Sequence, residues 1–295
     1  MVDLPPLPAI MLEPLVRNAL LEDLGRAGDL TTAATVPSDA VATMALVARQ
    51  QGVIAGLDLA LLAFRLIDKS VVAEIKRSDG DAVMQGEVVA VISGPARALL
   101  TAERTALNFI CRTSGIATAT ASIVAAIEGH KTQIICTRKT TPGLRTIEKY
   151  AVRAGGGANH RFGLDDAVLI KDNHIALAGG VRPAIERVRA GIGHLVKIEV
   201  EVDTLIQLKE ALAIGADAVL LDNMTNDELR SAVDMVAGRA ITEASGRVTP
   251  ATAPAIAATG VDLISVGWIT HSAPALDIGL DFFARSSDEE PAAEA

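Results

Sequence analysis

Aromatic side chains make up only 2% of the 295 residues, with a single Trp268 and a single Tyr150, so the chain offers no stacking platform for single-stranded nucleic acid. Cysteine is nearly absent as well. Cys111 and Cys136 form no CxxC pair and have no histidine at metal-ligand spacing, so buried thiols in a reducing compartment are expected rather than a disulfide or zinc framework. Positive charge is the minority sign, 27 Lys and Arg against 36 Asp and Glu, and a net charge of −9 argues against a nucleic-acid or membrane-surface binder. No run of 18 apolar residues occurs, and the start MVDLPPLPAI lacks the basic and apolar regions of a signal peptide. No membrane span and a cytoplasmic location are therefore expected. Also missing are a GxSxG elbow, an HExxH helix, a Walker loop and a GxGxxG turn, which leaves hydrolase, zinc-protease and nucleoside-triphosphate readings without support.

Half the residues are apolar, enough for a sizeable core of Ala, Val, Leu and Ile. The first ten residues read as a loose arm, and 11–24 has helical periodicity. Residues 41–54 and 71–77 read as strands around an apolar helix at 57–67, and 78–94 as two short strands joined by turn residues. A long helix is predicted over about 96–128, interrupted near Thr113–Ser114–Gly115. Then the rhythm changes. Apolar strands at 133–137, 167–171, 196–201, 218–222, 240–245 and 263–267 alternate with helices near 145–155, 181–190, 204–214, 226–237 and 250–259. Such alternation implies a parallel sheet covered by helices, either open or closed into a barrel. The acidic stretch 285–295 reads as a disordered tail.

The ends of these strands carry the chemistry. They deliver Thr137-Arg138-Lys139, Lys171-Asp172, Glu199 and Glu201, Asp222, Glu243 with Ser245-Gly246, and Gly267. In a β/α barrel the strand ends converge on one face, where active sites are built. One charged residue after a strand is ordinary loop; a polar or glycine position at every one is not. Charge is also segregated: between Arg138 and Lys171 stand seven Lys or Arg and three acids. A basic focus within an acidic protein suits a small polyanion, which arginine binds bidentately. Arg145, Lys149 and Arg153 fall on a predicted helix, and equally fit its solvated face. The glycines of AGGGANHR (154–161), beside His160 and Arg161, suggest the shaped rim of an anion pocket. Glu201 and Asp222, ending adjacent strands, suit Mg²⁺ held with substrate oxygens.

The stretch TRKTTPGLRTIEKYAVRAGGGANHRFGLDDAVLIKDNHI (137–175) closely resembles the signature region of the quinolinate phosphoribosyltransferases. The likeness continues through EVEVDTL, LLDNM, EASGRVT, GVDLISVG and THSAPALDIGLDF, and in the first part through EDLGRAGDLTT and TAERTALNFICRTSGIAT. It implies an α/β protein: an N-terminal α/β sandwich domain (1–112, with 271–285 returning to it) and an incomplete β/α barrel (113–270), followed by the tail at 286–295.

The resemblance also implies an activity, a transferase reaction of NAD biosynthesis that joins quinolinate to phosphoribosyl pyrophosphate with loss of CO₂. It implies a homodimer with sites shared between subunits. Arg138, His160, Arg161 and Lys171 would line the quinolinate pocket, with Arg104 contributed by a second chain. Thr137 would stand beside them, and Lys139 would contact the donor. Glu201 and Asp222 would hold Mg²⁺ and the donor. Lys139, Lys171, Glu201 and Asp222 would be the catalytic set. Ser245, Gly246, Val266, Gly267 and His271 resemble a phosphate cradle, in which Arg247 stands where the family varies and Trp268 where a smaller residue is usual. Related molybdenum-transport proteins tend to lose the NHR and KDN elements, which here are intact as Asn159–Arg161 and Lys171–Asn173. A non-catalytic metabolite-binding regulator on the same fold is the reading from another class. It would be expected to lack a carboxylate or a cation that this chain keeps.

Overall fold

The computed structural model describes residues 4–282, so the expected acidic tail lies outside the described residues. In chain order the elements are α1 (Ala9–Leu24), α2 (Leu30–Thr35), β1 (Val41–Ala48), β2 (Gly52–Val53), α3 (Leu57–Ile67), β3 (Val72–Ile75), β4 (Ala82–Val83), β5 (Val88–Pro95) and α4 (Ala96–Ala126). There follow β6 (Gln133–Ile135), α5 (Arg145–Ala154), β7 (Val168–Ile170), α6 (Asp172–Ala178), α7 (Val181–Gly191), β8 (Ile198–Val202), α8 (Leu205–Ile214), β9 (Ala218–Asp222), α9 (Asn226–Val236), β10 (Ile241–Ser245), α10 (Ala253–Ala257), β11 (Leu263–Ser265), α11 (Trp268–His271) and β12 (Ile278–Phe282). Contacts divide the chain into two compact units, one running to Thr118 and resumed at Pro274, the other Ala119–Ala273. The limits expected from sequence, 112/113 and 270/271, fall a few residues earlier.

The first unit carries an antiparallel four-stranded sheet in the order β12-β1-β5-β3, with β2 and β4 paired separately. β1 and β5 carry runs of consecutive buried residues, Met44–Leu46 and Val89–Ile92, so both faces of the sheet are covered there, and Leu46 and Ile92 are buried completely. The apolar face of α3 adds Leu59, Ala60 and Phe64 to the same core. The strand expected over 41–54 is two strands with a turn between, and α1 starts at Ala9, inside the stretch expected to be a loose arm.

Helix α4 differs from expectation in two ways. It is continuous through Thr113–Gly115, where an interruption is predicted. Gly115 is there for space: a Cβ at this position would lie 2.1 Å from the Pro274 carbonyl oxygen and 2.9 Å from Ala275 Cα. The glycine admits the returning chain against the helix. By length and composition α4 would also suffice to cross a membrane, against the sequence expectation, although half of its apolar window is buried in the protein.

In the second unit six parallel strands are ordered β6-β11-β10-β9-β8-β7, a barrel-like sheet of βα repeats. The α/β class and the barrel-like second domain expected from sequence are both present. Thr204 and Thr225 start α8 and α9 with capping boxes closed by Gln207 and Glu228. Helix α6, not predicted, begins directly after Lys171, where the His174 ring nitrogen Nδ1 accepts the Lys171 N–H at 2.9 Å.

Candidate active site

The C-terminal ends of the six strands line one cavity of about 700 Å³. The parallel register explains how. Glu201 pairs with Leu220, Glu243 with the same Leu220, and Ser245 with Asp222. Side chains two apart share a face, so Leu169 and Lys171, Leu220 and Asp222, and Glu243 and Ser245 come round as a ring of lining residues. Thr137, Arg138, Lys139, His160, Arg161, Lys171, Glu201, Asp222, Ser245, Gly246, Arg247, Val266, Gly267, Trp268 and His271, all expected from sequence, line this cavity. Arg104 belongs to the first unit, on α4, and is exposed.

The cationic wall is built by two loops. Arg138 follows β6, and Arg161 follows the glycine run. Burial first, and then the like charge of Arg138, push the Arg161 guanidinium below its ordinary pKa. The Nε atoms of both arginines are buried with no hydrogen-bond partner, while Arg161 Nη1 donates to the Ala167 carbonyl at 2.9 Å. Two like charges brought together with donors to spare is the arrangement that a multiply charged carboxylate satisfies.

Helix α5 holds those loops in place, a role the solvated-face reading misses. Arg145 Nε donates to Thr140 Oγ1 at 3.0 Å, and its Nη1 to the Phe162 carbonyl at 3.0 Å. One turn on, the buried Glu148 accepts from the Thr141 N–H and hydroxyl at 3.0 and 2.8 Å. The buried Lys149 donates to the His160 carbonyl at 2.9 Å and to Cys136 Sγ at 3.1 Å. Residues i, i+3 and i+4 share one helix face, and this face grips both strand-end loops. Cys136 is thus buried, as expected, but in polar company, whereas Cys111, also expected to be buried, is only half-buried. The three glycines do not line the cavity. A Cβ at Gly157 would meet Thr120 Cγ2 at 2.8 Å and Val152 Cγ1 at 2.9 Å, so the run closes the chain against the unit's core before Ala158 bridges to β6.

Beneath the cations lies a carboxylate pair, Glu199 and Glu243, which the strand-end reading named without giving it a role. His160 Nε2 is 2.8 Å from Glu199 Oε2 and 3.5 Å from Glu243 Oε2, and its Nδ1 accepts the Arg161 N–H at 2.7 Å. Both ring nitrogens are therefore engaged by the protein. Burial, followed by the Glu199 charge, pushes the Glu243 carboxyl up to about 9, so it is a neutral acid at neutral pH. Its Oε1 has no partner. The signal was in the sequence: an acid two residues before Glu201 on β8, and one two residues before Ser245 on β10, both on otherwise apolar strands.

Glu201 and Asp222 face the cavity with different partners. Glu201 Oε2 accepts from Lys171 Nζ at 2.8 Å, and Asp222 Oδ2 from Asn223 Nδ2 at 2.6 Å. Two carboxylates and no softer donor form the oxygen set a hard divalent cation takes when substrate and water fill its other positions. Among the described residues, the ligand-type atoms of His160, Glu199 and Glu243 also cluster within 4.8 Å. The His160 nitrogen is already hydrogen-bonded to Glu199 at 2.8 Å, and a nitrogen ligand suits Mg²⁺ less well than an all-oxygen set.

On the opposite side, the Ser245 carbonyl accepts the Asn223 N–H at 2.9 Å, and Trp268 Nε1 donates to the Val248 carbonyl at 2.9 Å, tying the loop after β10 to both neighbours. A Cβ at Gly267 would stand 3.1 Å from Lys139 Cδ and 3.5 Å from His271 Nε2, so both side chains lie against this glycine.

The families that match are those of the quinolinate phosphoribosyl transferase C-terminal domain, over residues 116–281, and its N-terminal domain, over residues 29–114. This chain belongs to the quinolinate phosphoribosyltransferase family. It is 45% identical over 272 residues to the probable nicotinate-nucleotide pyrophosphorylase (carboxylating) of Bacillus subtilis (strain 168), covering 92% of this chain and 93% of that protein. It is 47% identical over 273 residues to the nicotinate-nucleotide pyrophosphorylase (carboxylating) of Mycobacterium leprae (strain TN), covering 90% and 95%. Among solved structures, NadC from Streptococcus pyogenes superposes with a TM-score of 0.91 at 40% identity, covering 95% of this chain and all of that one. Within the quinolinate phosphoribosyltransferase family the cavity at the strand ends is the place to look for chemistry, and nothing in its lining has lost a charged group expected from sequence.

Proposed function

We propose that this chain is an enzyme that joins quinolinate to phosphoribosyl pyrophosphate, giving nicotinate mononucleotide, pyrophosphate and CO₂ in NAD biosynthesis. The observation that carries this reading is the convergence of Arg138 and Arg161 opposite Glu201 and Asp222 in one cavity. Arg138 and Arg161 take the two carboxylates of the pyridine. His160, both ring nitrogens engaged, braces them through the Arg161 N–H. Lys139 reaches the donor beside Gly267 and His271.

The pyridine nitrogen attacks the ribosyl carbon as the bond to pyrophosphate breaks, and charge builds on the leaving oxygens. Glu201 and Asp222 would hold Mg²⁺, which supplies neutralisation of the leaving pyrophosphate. Alkylation makes the ring nitrogen an electron sink. The adjacent carboxylate leaves as CO₂, its bonding pair remains on the ring carbon, and a proton then replaces it. Lys171 lines the cavity, whereas Asp172 is the first residue of α6, accepts the Asn173 N–H at 2.7 Å and is absent from the lining, which favours Lys171 as the source of that proton.

The working unit is a homodimer, with Arg104 of each chain completing the site of the other, in the cytoplasm. Incubation with quinolinate, phosphoribosyl pyrophosphate and Mg²⁺ tests the reaction, and the absence of both CO₂ and nicotinate mononucleotide sinks it. Mixing the inactive Arg104→Ala and Lys171→Ala proteins tests the shared site. Mixed dimers with one intact site should regain activity, and no recovery would mean self-contained sites.

A further inference from the structure

Asn223 and Arg247 adopt the left-handed backbone region, with φ of 52° and 46°, and between them Gly246 stands at φ 121°. All three line the cavity. Asn and Gly visit this region at little cost, whereas a long side chain such as Arg does so seldom and against a steric penalty. The conformation at Arg247 is imposed from both sides. A Cβ on Gly246 would lie 2.4 Å from Asn223 Oδ1, so the loop is pressed against Asn223, and Trp268 holds the next carbonyl, that of Val248. The fold thus demands a left-handed residue at 247, and glycine would satisfy it more cheaply. Strain kept at a cavity wall, where a cheaper residue exists, points to use of the side chain.

That side chain is exposed, and its guanidinium has no hydrogen bond or ion pair among the described residues. Arg182, Arg189 and Arg230, by contrast, are engaged by acids or carbonyls. The wall around it is made of small or neutral groups, Ser245, Gly246 and Gly267, beyond which lie Lys139 and His271. Such a wall leaves backbone N–H and hydroxyl groups at close range with the Lys139 ammonium and the His271 ring on its flank, which fits a phosphoryl group rather than an apolar ring.

We propose that Arg247 is a specificity-determining residue that closes over a phosphate of the ribosyl donor, its backbone strain retained for that contact. The proposal rests on the phosphoribosyl-transfer reading. It adds that donor affinity in this chain depends on a side chain that the backbone itself does not favour.

The test is the pair Arg247→Gly and Arg247→Lys in the full-length protein, with wild-type turnover measured alongside. Loss of wild-type turnover with phosphoribosyl pyrophosphate would strike the underlying reaction, not Arg247. With the reaction present, Arg247→Gly should raise the KM for phosphoribosyl pyrophosphate by about tenfold, the scale of one charge-assisted hydrogen bond. It should leave the KM for quinolinate within about twofold and the melting temperature unchanged or a few degrees higher. Arg247→Lys should keep part of the donor affinity. Ribose 5-phosphate and pyrophosphate, each titrated alone, identify the phosphate held, because one of them should lose about tenfold in affinity in Arg247→Gly. Unchanged affinity for both, or equal loss for both substrates together with a lower melting temperature, would overturn the assignment.

Discussion

The Lys149 ammonium, buried on α5, donates to the His160 carbonyl oxygen at 2.9 Å, and so joins the helix to the loop that carries His160 and Arg161 into the cavity. Its other contact, Cys136 Sγ at 3.1 Å, lies two residues before Arg138. One side chain therefore sets the spacing between the Arg138 and Arg161 loops.

Lys149→Met keeps the length of the side chain and removes the donors. The buried carbonyl of His160 is then left unpaired, at a cost of about 1–3 kcal/mol in stability. The KM for quinolinate should rise by about tenfold while that for the donor changes little. Chemical denaturation and steady-state kinetics check both, and a folded variant with unaltered quinolinate KM would limit Lys149 to stability.

Glu243 makes stability depend on pH. Its folded value of about 9 stands above the ordinary 4.5, so between these values the native state keeps a proton that the unfolded chain has released. The stability this proton contributes is complete below about pH 4.5 and is lost as pH rises toward 9, with a slope of up to about 1.4 kcal/mol per pH unit. Glu243→Gln, neutral at every pH, should gain on the wild type steadily from pH 5 to 9. Denaturation curves at several pH values decide it, and a constant difference would mean that Glu243 is ionised in the native protein.

Arg138→Ala removes one half of the converging pair. The lost charge-assisted bonds should raise the KM for quinolinate by about ten- to a hundredfold, with the donor KM far less affected. Because Arg161 is then freed from a like charge, its pKa should move back toward the ordinary value. Isothermal titration with quinolinate alone is the direct measurement, and an unchanged affinity removes Arg138 from the pocket.

Chelation tests the carboxylates. Turnover should vanish in excess EDTA and return with added Mg²⁺, and Asp222→Asn should require about tenfold more Mg²⁺ for half-maximal rate. Full activity in EDTA would leave Glu201 and Asp222 without a metal to hold.

Much of this arrangement was legible in the order of residues. Continuous apolar strands of five or so residues, separated by helices and each followed by a polar or glycine position, imply a parallel sheet whose strand ends share one edge, because a helix between successive strands returns the chain to the same end each time. That alone placed Arg138, Lys171, Glu201, Asp222, Ser245 and Gly267 together. What the sequence could not decide was which charges face solvent and which face each other. Lys149 and Glu148 look like any exposed helix charges until α5 is packed against the loops at 137–141 and 158–162, and Glu199 and Glu243 look like strand polar residues until β8 and β10 bring them under His160. Gly115 reads as a helix break until the chain returning at Pro274 needs its missing Cβ. Local pattern determines the period of an element and the face on which a residue lies. Only tertiary packing, by removing water from some of those faces, decides which charges must find a partner and which are left free to take one.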